Sequence, residues 1–447
     1  MNGAHDSGGS GGAAAALLAA AWHGLTLAAL AAAPAGVAVS TWRHRGIPGA
    51  RPFARELDER LGGAPRCTGA PAWIHAASVG EVRVADPLVL ALRRRLPEVP
   101  LVLSATTARG RRAAASLARL LAAEPFHPPL DAAPAVARAL ARVAPRALIT
   151  VETEIWPNLF RAAAARGIRV AVVNGRFSER ALPRYAHVRP LLREALAAAD
   201  LLAMRSDEDA HRALELGAPP ARIVVTGDLK SDAANAAADA PPLPWVGAAG
   251  LLSGEWVAFG STASDELEIV LDAFGALTRL RPGARALLAP RRPDQWDAAE
   301  ESAMRRGITV VRRSRVEHLG APPAGGLLLL DTVGELARLY RHASVAFVGG
   351  SLVPRGGQNI LEPAAAGAPV LFGPHLANFR DAEEMLLACG GGLRVTSQSL
   401  AEAACSLLAD ESRRRAMGIA ARDAVRRSAG ATERTMDLLA PLLLGGA

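Results

Sequence analysis

Cysteine is scarce in this 447-residue chain: Cys67, Cys389 and Cys405 lie far apart and form no CxxC pair. That spacing argues against a disulfide framework or a structural zinc site and fits a reducing compartment. Aromatic residues make up only 4 % of the chain and the arginines are dispersed, so stacking platforms and basic stripes for nucleic acid are missing. No HExxH, GxSxG or Walker A sequence occurs, which argues against metalloprotease, serine hydrolase and ATPase chemistry. A dinucleotide fingerprint is missing as well, since Thr106-Thr107-Ala108-Arg109-Gly110 lacks repeated glycines. Acidic residues are outnumbered. The formal charge of +8 suits a nucleotide, an acidic substrate or an anionic membrane surface.

What the chain has in plenty is alanine, glycine, proline, arginine and apolar runs. Half of the residues are hydrophobic, enough for sizeable cores, and the length predicts two or three domains. Residues 1–12 are small, polar and glycine-rich and read as disordered. Residues 13–39 are almost wholly apolar, about the length of a bilayer-spanning helix. A cleaved signal peptide is the rival reading, but no basic segment precedes the run, whereas Arg43, His44, Arg45 and Arg51 follow it. By the positive-inside rule the downstream side stays cytoplasmic, so the run reads as an anchor in the inner membrane with the catalytic body on its cytoplasmic face.

From Pro71 short apolar runs alternate with amphipathic stretches. Strands are predicted at 72–75, 101–104, 147–151, 169–173, 201–204 and 223–226. A proline-containing stretch at 238–250 reads as a linker, and strands resume at 256–259, 286–288, 309–311, 327–330, 345–348 and 370–372. This alternation predicts an α/β chain with parallel sheets covered on both faces. It divides into an N-terminal Rossmann-like domain over 40–237 and a second over 251–447, with ligands expected in a cleft between them. The tail at 400–444 is helical, and its charge runs read as a solvated face.

Polar residues gather where parallel strands would end. In His75-Ala76-Ala77-Ser78-Val79-Gly80-Glu81, Ser78 and Glu81 have capping-box spacing, and Glu81 is also a carboxylate able to take a proton from an acceptor hydroxyl. Glu152 and Glu154 follow a buried strand, where carboxylates are costly unless solvated or partnered. Lys230 lies within the next set, Thr226-Gly227-Asp228-Leu229-Lys230-Ser231-Asp232, placed to hold developing negative charge. In the second half Gly260-Ser261-Thr262, Pro290-Arg291-Arg292-Pro293 and Asp331-Thr332-Val333-Gly334-Glu335-Leu336 each follow a predicted strand, and Arg291 suits a phosphate. The stretch 349–374 combines a strand end, a loop with four glycines and a helix start at Asn359-Ile360-Leu361-Glu362. Glu362 either accepts the hydroxyls of a ribose or complements the positive helix end, and local pattern does not choose. Asp207-Glu208-Asp209 looks like a metal-binding DxD, but Ser206 makes it a helix start.

In this order the motifs resemble the 3-deoxy-D-manno-octulosonic acid (Kdo) transferases of lipopolysaccharide biosynthesis, glycosyltransferases of the GT-B fold. The matching stretches are WIHAASVGE (73–81), VETEIWPN (151–158), VNGRFSERALPRY (173–185), GDLKSD (227–232), DTVGELARLY (331–340) and FVGGSLVPRGGQNILEPAAAGAPVLFGP (347–374). The resemblance implies transfer of Kdo from CMP-Kdo to the lipid A precursor, with inversion and without a bound metal or other cofactor. It implies Glu81 as the general base on the glucosamine 6′-hydroxyl, with Glu152 and Lys230 positioning and stabilising the reacting groups. CMP would sit against Pro290, Arg291, Gly334, Glu335, Leu336, Asn359, Ile360, Leu361 and Glu362, and a membrane-associated N-terminal helix is expected. The chain departs from the family pattern at Ala263, Arg292 and Gln358, each in place of a usual histidine, and at Asp228, where GNLK has become GDLK. The replaced histidines bear on donor affinity and on the identity of the sugar. Two rival expectations remain: another two-domain sugar-nucleotide enzyme such as a UDP-sugar 2-epimerase, or a catalytically silent sugar-nucleotide binding protein.

Overall fold

The structure is a computed structural model that describes residues 8–45, 51–177 and 182–445. It divides into two compact units, one made of Met1–Leu229 and Gly430–Ala447 and the other of Lys230–Ala429. Unit 1 carries strands β1 (Ala72–Ala76), β2 (Leu101–Ala105), β3 (Ala147–Val151), β4 (Arg169–Gly175), β5 (Leu201–Met204) and β6 (Ile223–Val225). They form a parallel sheet in the order β2-β1-β3-β4-β5-β6. Unit 2 carries β7 (Trp256–Thr262), β8 (Arg285–Pro290), β9 (Val310–Arg312), β10 (Leu327–Leu329), β11 (Val345–Val348), β12 (Val370–Phe372) and β13 (Gly392–Arg394). These are also parallel, in the order β13-β12-β11-β7-β8-β10-β9. Both units are Rossmann-like, and the α/β class of the GT-B type expected from sequence holds.

Strands β1, β3 and β11 are buried on both faces, so their sequences read as largely apolar runs rather than as alternating ones. Alternation splits each strand between two cores. Ala72, Ile74 and Ala76 face one side of sheet 1 and Trp73 the other. In sheet 2, Val257 and Phe259 face one side, Trp256 and Ala258 the other. Ser206 caps the helix Asp207–Glu215 by accepting from Asp209 N at 3.2 Å, as its spacing predicts.

Two boundaries differ from the sequence reading. The stretch at 238–250 is not a free linker: Leu243, Trp245, Val246 and Ala249 are buried in a core of unit 2. The last helix, Ala431–Leu444, belongs to unit 1, because its Ala431, Met436, Leu439 and Leu443 are buried against the core around β1 and the helix Val79–Arg95. At the other end the helix Gly8–His44 begins well before residue 13, so only residues 1–7 of the expected disordered segment lie outside the described residues. Its stretch Leu17–His44 is long and apolar enough to cross a membrane. Leu17, Leu25, Leu27, Val39 and Trp42 are exposed along it.

The placement of the last helix is checked by urea denaturation. Leu439→Ala is expected to destabilise unit 1 by about 2–5 kcal/mol, whereas Ile419→Ala on an exposed face of unit 2 should stay within about 0.5 kcal/mol.

Candidate active site

In sheet 1 the chain leaves β1 for β2 on one side and then β3 on the other, so the strand order reverses between β1 and β3. Loops at such a switch point diverge and leave a crevice at the carboxyl ends of the strands. Glu81 lies just after β1, and Glu152 and Glu154 just after β3. Glu81 closes a full capping box with Ser78: its N–H donates to Ser78 Oγ at 3.4 Å, and its Oε2 accepts from Ser78 N at 3.0 Å and from Ala77 N. The cap fixes the carboxyl without keeping it charged. Burial pushes Glu81 up from its ordinary value of 4.5 to about 7, helped by the nearby charges of Glu154 and Glu152 and opposed by the two backbone donors.

Glu154 is held by a chain of hydrogen bonds from the sheet. Trp73 Nε1 donates to Ser104 Oγ at 2.8 Å, Ser104 Oγ lies 2.9 Å from His75 Nδ1, and His75 Nε2 lies 3.3 Å from Glu154 Oε2. Trp156 Nε1 donates to the same oxygen at 2.9 Å. Every role is satisfied when Ser104 donates to Nδ1 and the protonated Nε2 donates to Glu154, a tautomer inferred from the network. Burial alone would raise Glu154; the His75 and Trp156 donors more than offset it and leave its pKa below 4.5. Sequence reasoning missed this chain. Its signal was the polar pair His75 and Ser104 at the same register in adjacent apolar strands.

Glu152 has the left-handed backbone angle φ +62°, as do Asn174 at +53° in β4 and Ser261 at +55° in β7. Such a conformation costs a non-glycine residue on the order of 1–3 kcal/mol and collects at ligand edges. A cavity of about 380 Å³ lies between the apolar N-terminal helix and the loop after β3, with Trp22, Thr26, Asp131, Thr153, Glu154 and Trp156 among its walls. Asp131 accepts from Trp22 Nε1 at 3.1 Å and from Asn158 N at 3.0 Å, tying that helix to the loop.

In sheet 2 the order reverses between β7 and β11. Gly260, two residues before the end of β7, lies under the buried Tyr340, whose hydroxyl would clash with any added Cβ. Burial first, and then the charge of Glu362, holds the Tyr340 hydroxyl well above its ordinary pKa. Asn359 Oδ1 accepts from Leu361 N at 3.1 Å and its Nδ2 donates to Glu362 Oε1 at 3.3 Å. The side chains of Ile360 and Leu361 are buried in a core, so only their backbone is left for a ligand. Arg291 and Arg292 are exposed after β8, where Arg291 N donates to Thr262 O at 2.9 Å. Glu335, beside Gly334 and Leu336, accepts from Trp245 Nε1 at 2.9 Å and pairs with Arg313 at 3.3 Å. Lys230 is the second residue of the helix Leu229–Asp239 and the first of unit 2, its Nζ 5.5 Å from the Phe379 ring centre. Asp228 lies 3.9 Å from Arg205 within unit 1. Among the described residues no cluster of three or more His, Cys, Asp or Glu has the form of a metal site. In the motif at 173–185, residues 178–181 lie outside the described residues.

The family model described as 3-deoxy-D-manno-octulosonic-acid transferase (kdotransferase) matches residues 55–233. The 3-deoxy-D-manno-octulosonic acid transferase of Bordetella pertussis is 41 % identical over 84 % of this chain and 88 % of its own length. The chain belongs to the Kdo transferase family. It is a glycosyltransferase, and the transferase of Haemophilus influenzae is a further relative, 32 % identical over 88 % of this chain and 92 % of its own. Among solved structures, a putative UDP-N-acetylglucosamine 2-epimerase of Listeria monocytogenes superposes with a TM-score of 0.57 over 84 % of this chain and 96 % of its own. At 16 % identity that likeness is one of fold alone.

The raised carboxyl of this Kdo transferase predicts a pH-dependent stability. A carboxyl raised in the native state stabilises fully below its unfolded value, and that contribution is lost as pH rises through about 7. Glu81→Gln should therefore raise the unfolding free energy relative to wild type at pH 8, by on the order of 1–3 kcal/mol after solvent screening and read as a higher denaturation midpoint, and much less at pH 4. Midpoints that shift equally at both pH values would contradict a near-neutral Glu81.

Proposed function

We propose that the protein moves Kdo from CMP-Kdo to a lipid A precursor in one inverting displacement, with Glu81 as the general base. The observation that carries this reading is a carboxyl of near-neutral pKa at the switch point of unit 1. A base tuned to the working pH combines a useful ionised fraction with the strength to take a proton. Glu81 removes the proton of the acceptor hydroxyl as its oxygen bonds to the anomeric carbon, and the bond from that carbon to the CMP phosphate breaks. CMP leaves with the bonding pair as an anion. Glu152 and Lys230 position and stabilise the reacting groups, and no metal takes part. The nucleotide sits on unit 2, against Pro290, Arg291, the 334–336 turn and residues 359–362. Glu362 serves the ribose there, with Asn359 orienting its carboxylate.

The acceptor is lipidic in this reading, and two features support it. The cavity walled by Trp22 and Glu154 joins an apolar helix to the catalytic carboxylates. That helix exposes large apolar residues and ends in Arg43 and His44, with Arg45 next, which suits an anionic inner-membrane surface on the cytoplasmic side. Its polar contacts run from Trp22 to Ser40, which bonds Glu56 at 3.0 Å, or about 27 Å of helix. The helix therefore runs along unit 1 while Leu17, Leu25, Leu27, Val39 and Trp42 stay exposed to meet lipid.

The test is transfer from CMP-Kdo to purified lipid A precursor, with product mass as the readout. Glu81→Gln is expected to lower kcat by about 10²–10⁴ while leaving CMP binding intact. Glu154→Gln removes one of the two negative neighbours of Glu81 and should move the acid limb of kcat/KM to lower pH. Full turnover in Glu81→Gln would remove the base, and competition by UDP in place of CMP would remove the donor.

A further inference from the structure

The glycine loop after β11 looks in sequence like a phosphate loop, with backbone free to meet an anion. In the structure its donors are already taken. Glu266, fully buried at the start of the helix Leu267–Leu280, reaches under the loop from the end of β7. Its Oε2 accepts from Gly350 N at 2.6 Å and Ala263 N at 3.3 Å; its Oε1 accepts from Leu352 N at 2.8 Å and Ser351 N at 3.1 Å. Three successive N–H groups converging on one anion form a nest, opened here by Gly350 at φ +67°. Gly349 allows the approach, since a Cβ there would lie 2.6 Å from Thr262 Cα and 2.7 Å from Glu266 Oε2. Ser351 locks the far side, its hydroxyl donating to Val348 O at 2.5 Å and accepting from Gly373 N at 2.9 Å. A phosphate brought to this nest would meet a carboxylate in its place and be repelled by it.

We propose that Glu266 is a positioning residue of the donor site: it fills the anion nest at 350–352 from inside the unit, fixing the loop while leaving the donor phosphate to side chains at neighbouring strand ends. The assignment rests on the reading that unit 2 holds CMP-Kdo. Glu266 ties the ends of β7 and β11 together across the switch point, so the loops flanking the nucleotide keep one shape with or without ligand. Preorganisation of this kind lowers the ordering cost of binding. Arg291, after β8, is the side chain placed to take the phosphate.

The experiment is amide hydrogen exchange over 349–352 in the full chain, with and without CMP, combined with donor kinetics of Glu266→Gln. The expected result is amides protected before CMP is added and unchanged after it. In Glu266→Gln one acceptor oxygen becomes an NH₂ facing N–H donors, so the Kd for CMP and the donor KM should rise about tenfold, with kcat within about threefold and the acceptor KM unchanged. A residue that served stability alone would lower the melting temperature without that split between KM and kcat. Amides that exchange freely until CMP protects them, or a folded Glu266→Gln that binds CMP like wild type, would overturn the assignment. If Glu266→Gln does not fold, the exchange measurement on the wild type decides alone. A wild type that binds no CMP would instead sink the donor reading, a different outcome from CMP binding that alters the loop amides.

Discussion

A carboxylate set at the end of a strand buried on both faces must find donors or give up its charge. Three carboxyls in this chain meet that constraint in three ways. Glu266 takes four backbone N–H groups and is sealed from solvent. Glu154 takes an imidazole and an indole and stays ionised below the ordinary carboxylate value. Glu81 takes two backbone donors but also two like-charged neighbours, and its proton is held to about neutrality. A sealed anchor, a held charge and a carboxyl poised near neutrality thus come from one residue type, separated by what surrounds it.

The sheets decide where these carboxyls fall. In each unit the chain pairs its second strand on one side of the first and later returns to the other side, which opens a crevice at the carboxyl ends of β1 and β3 and again at β7 and β11. Left-handed angles at Glu152, just after β3, and Ser261, near the end of β7, fall at these same edges. The strain is borne where loops must turn sharply from a packed strand. Family membership then supplies the class of chemistry, which the fold alone does not, since a 2-epimerase shares the architecture at 16 % identity.

Much of this was legible in the sequence because parallel strands buried on both faces leave largely apolar runs. Each predicted strand is present within a few residues of its expected bounds, whereas β13, a Gly-Leu-Arg edge strand, has no such run to reveal it. Prolines suggested a linker at 238–250, but composition could not show that Trp245 would be drawn into a core. The last helix carries Leu438, Leu439, Leu442, Leu443 and Leu444, but nothing local names its partner, the helix Val79–Arg95, which lies hundreds of residues upstream. Within the site, Glu81 was legible because its cap is local. The clamp on Glu154 and the nest around Glu266 join residues about 80 positions apart, where no short-range spacing records them.

The return of the helix Ala431–Leu444 to unit 1 has a consequence for biosynthesis. The second unit is one continuous insertion, with all its strands made before the chain comes back. Unit 1 begins to emerge from the ribosome first yet lacks Met436, Leu439 and Leu443 of its core until the final residues are released. During translation the half carrying Glu81 therefore waits with an apolar groove uncovered along the helix Val79–Arg95. Unit 2, begun later, is completed sooner.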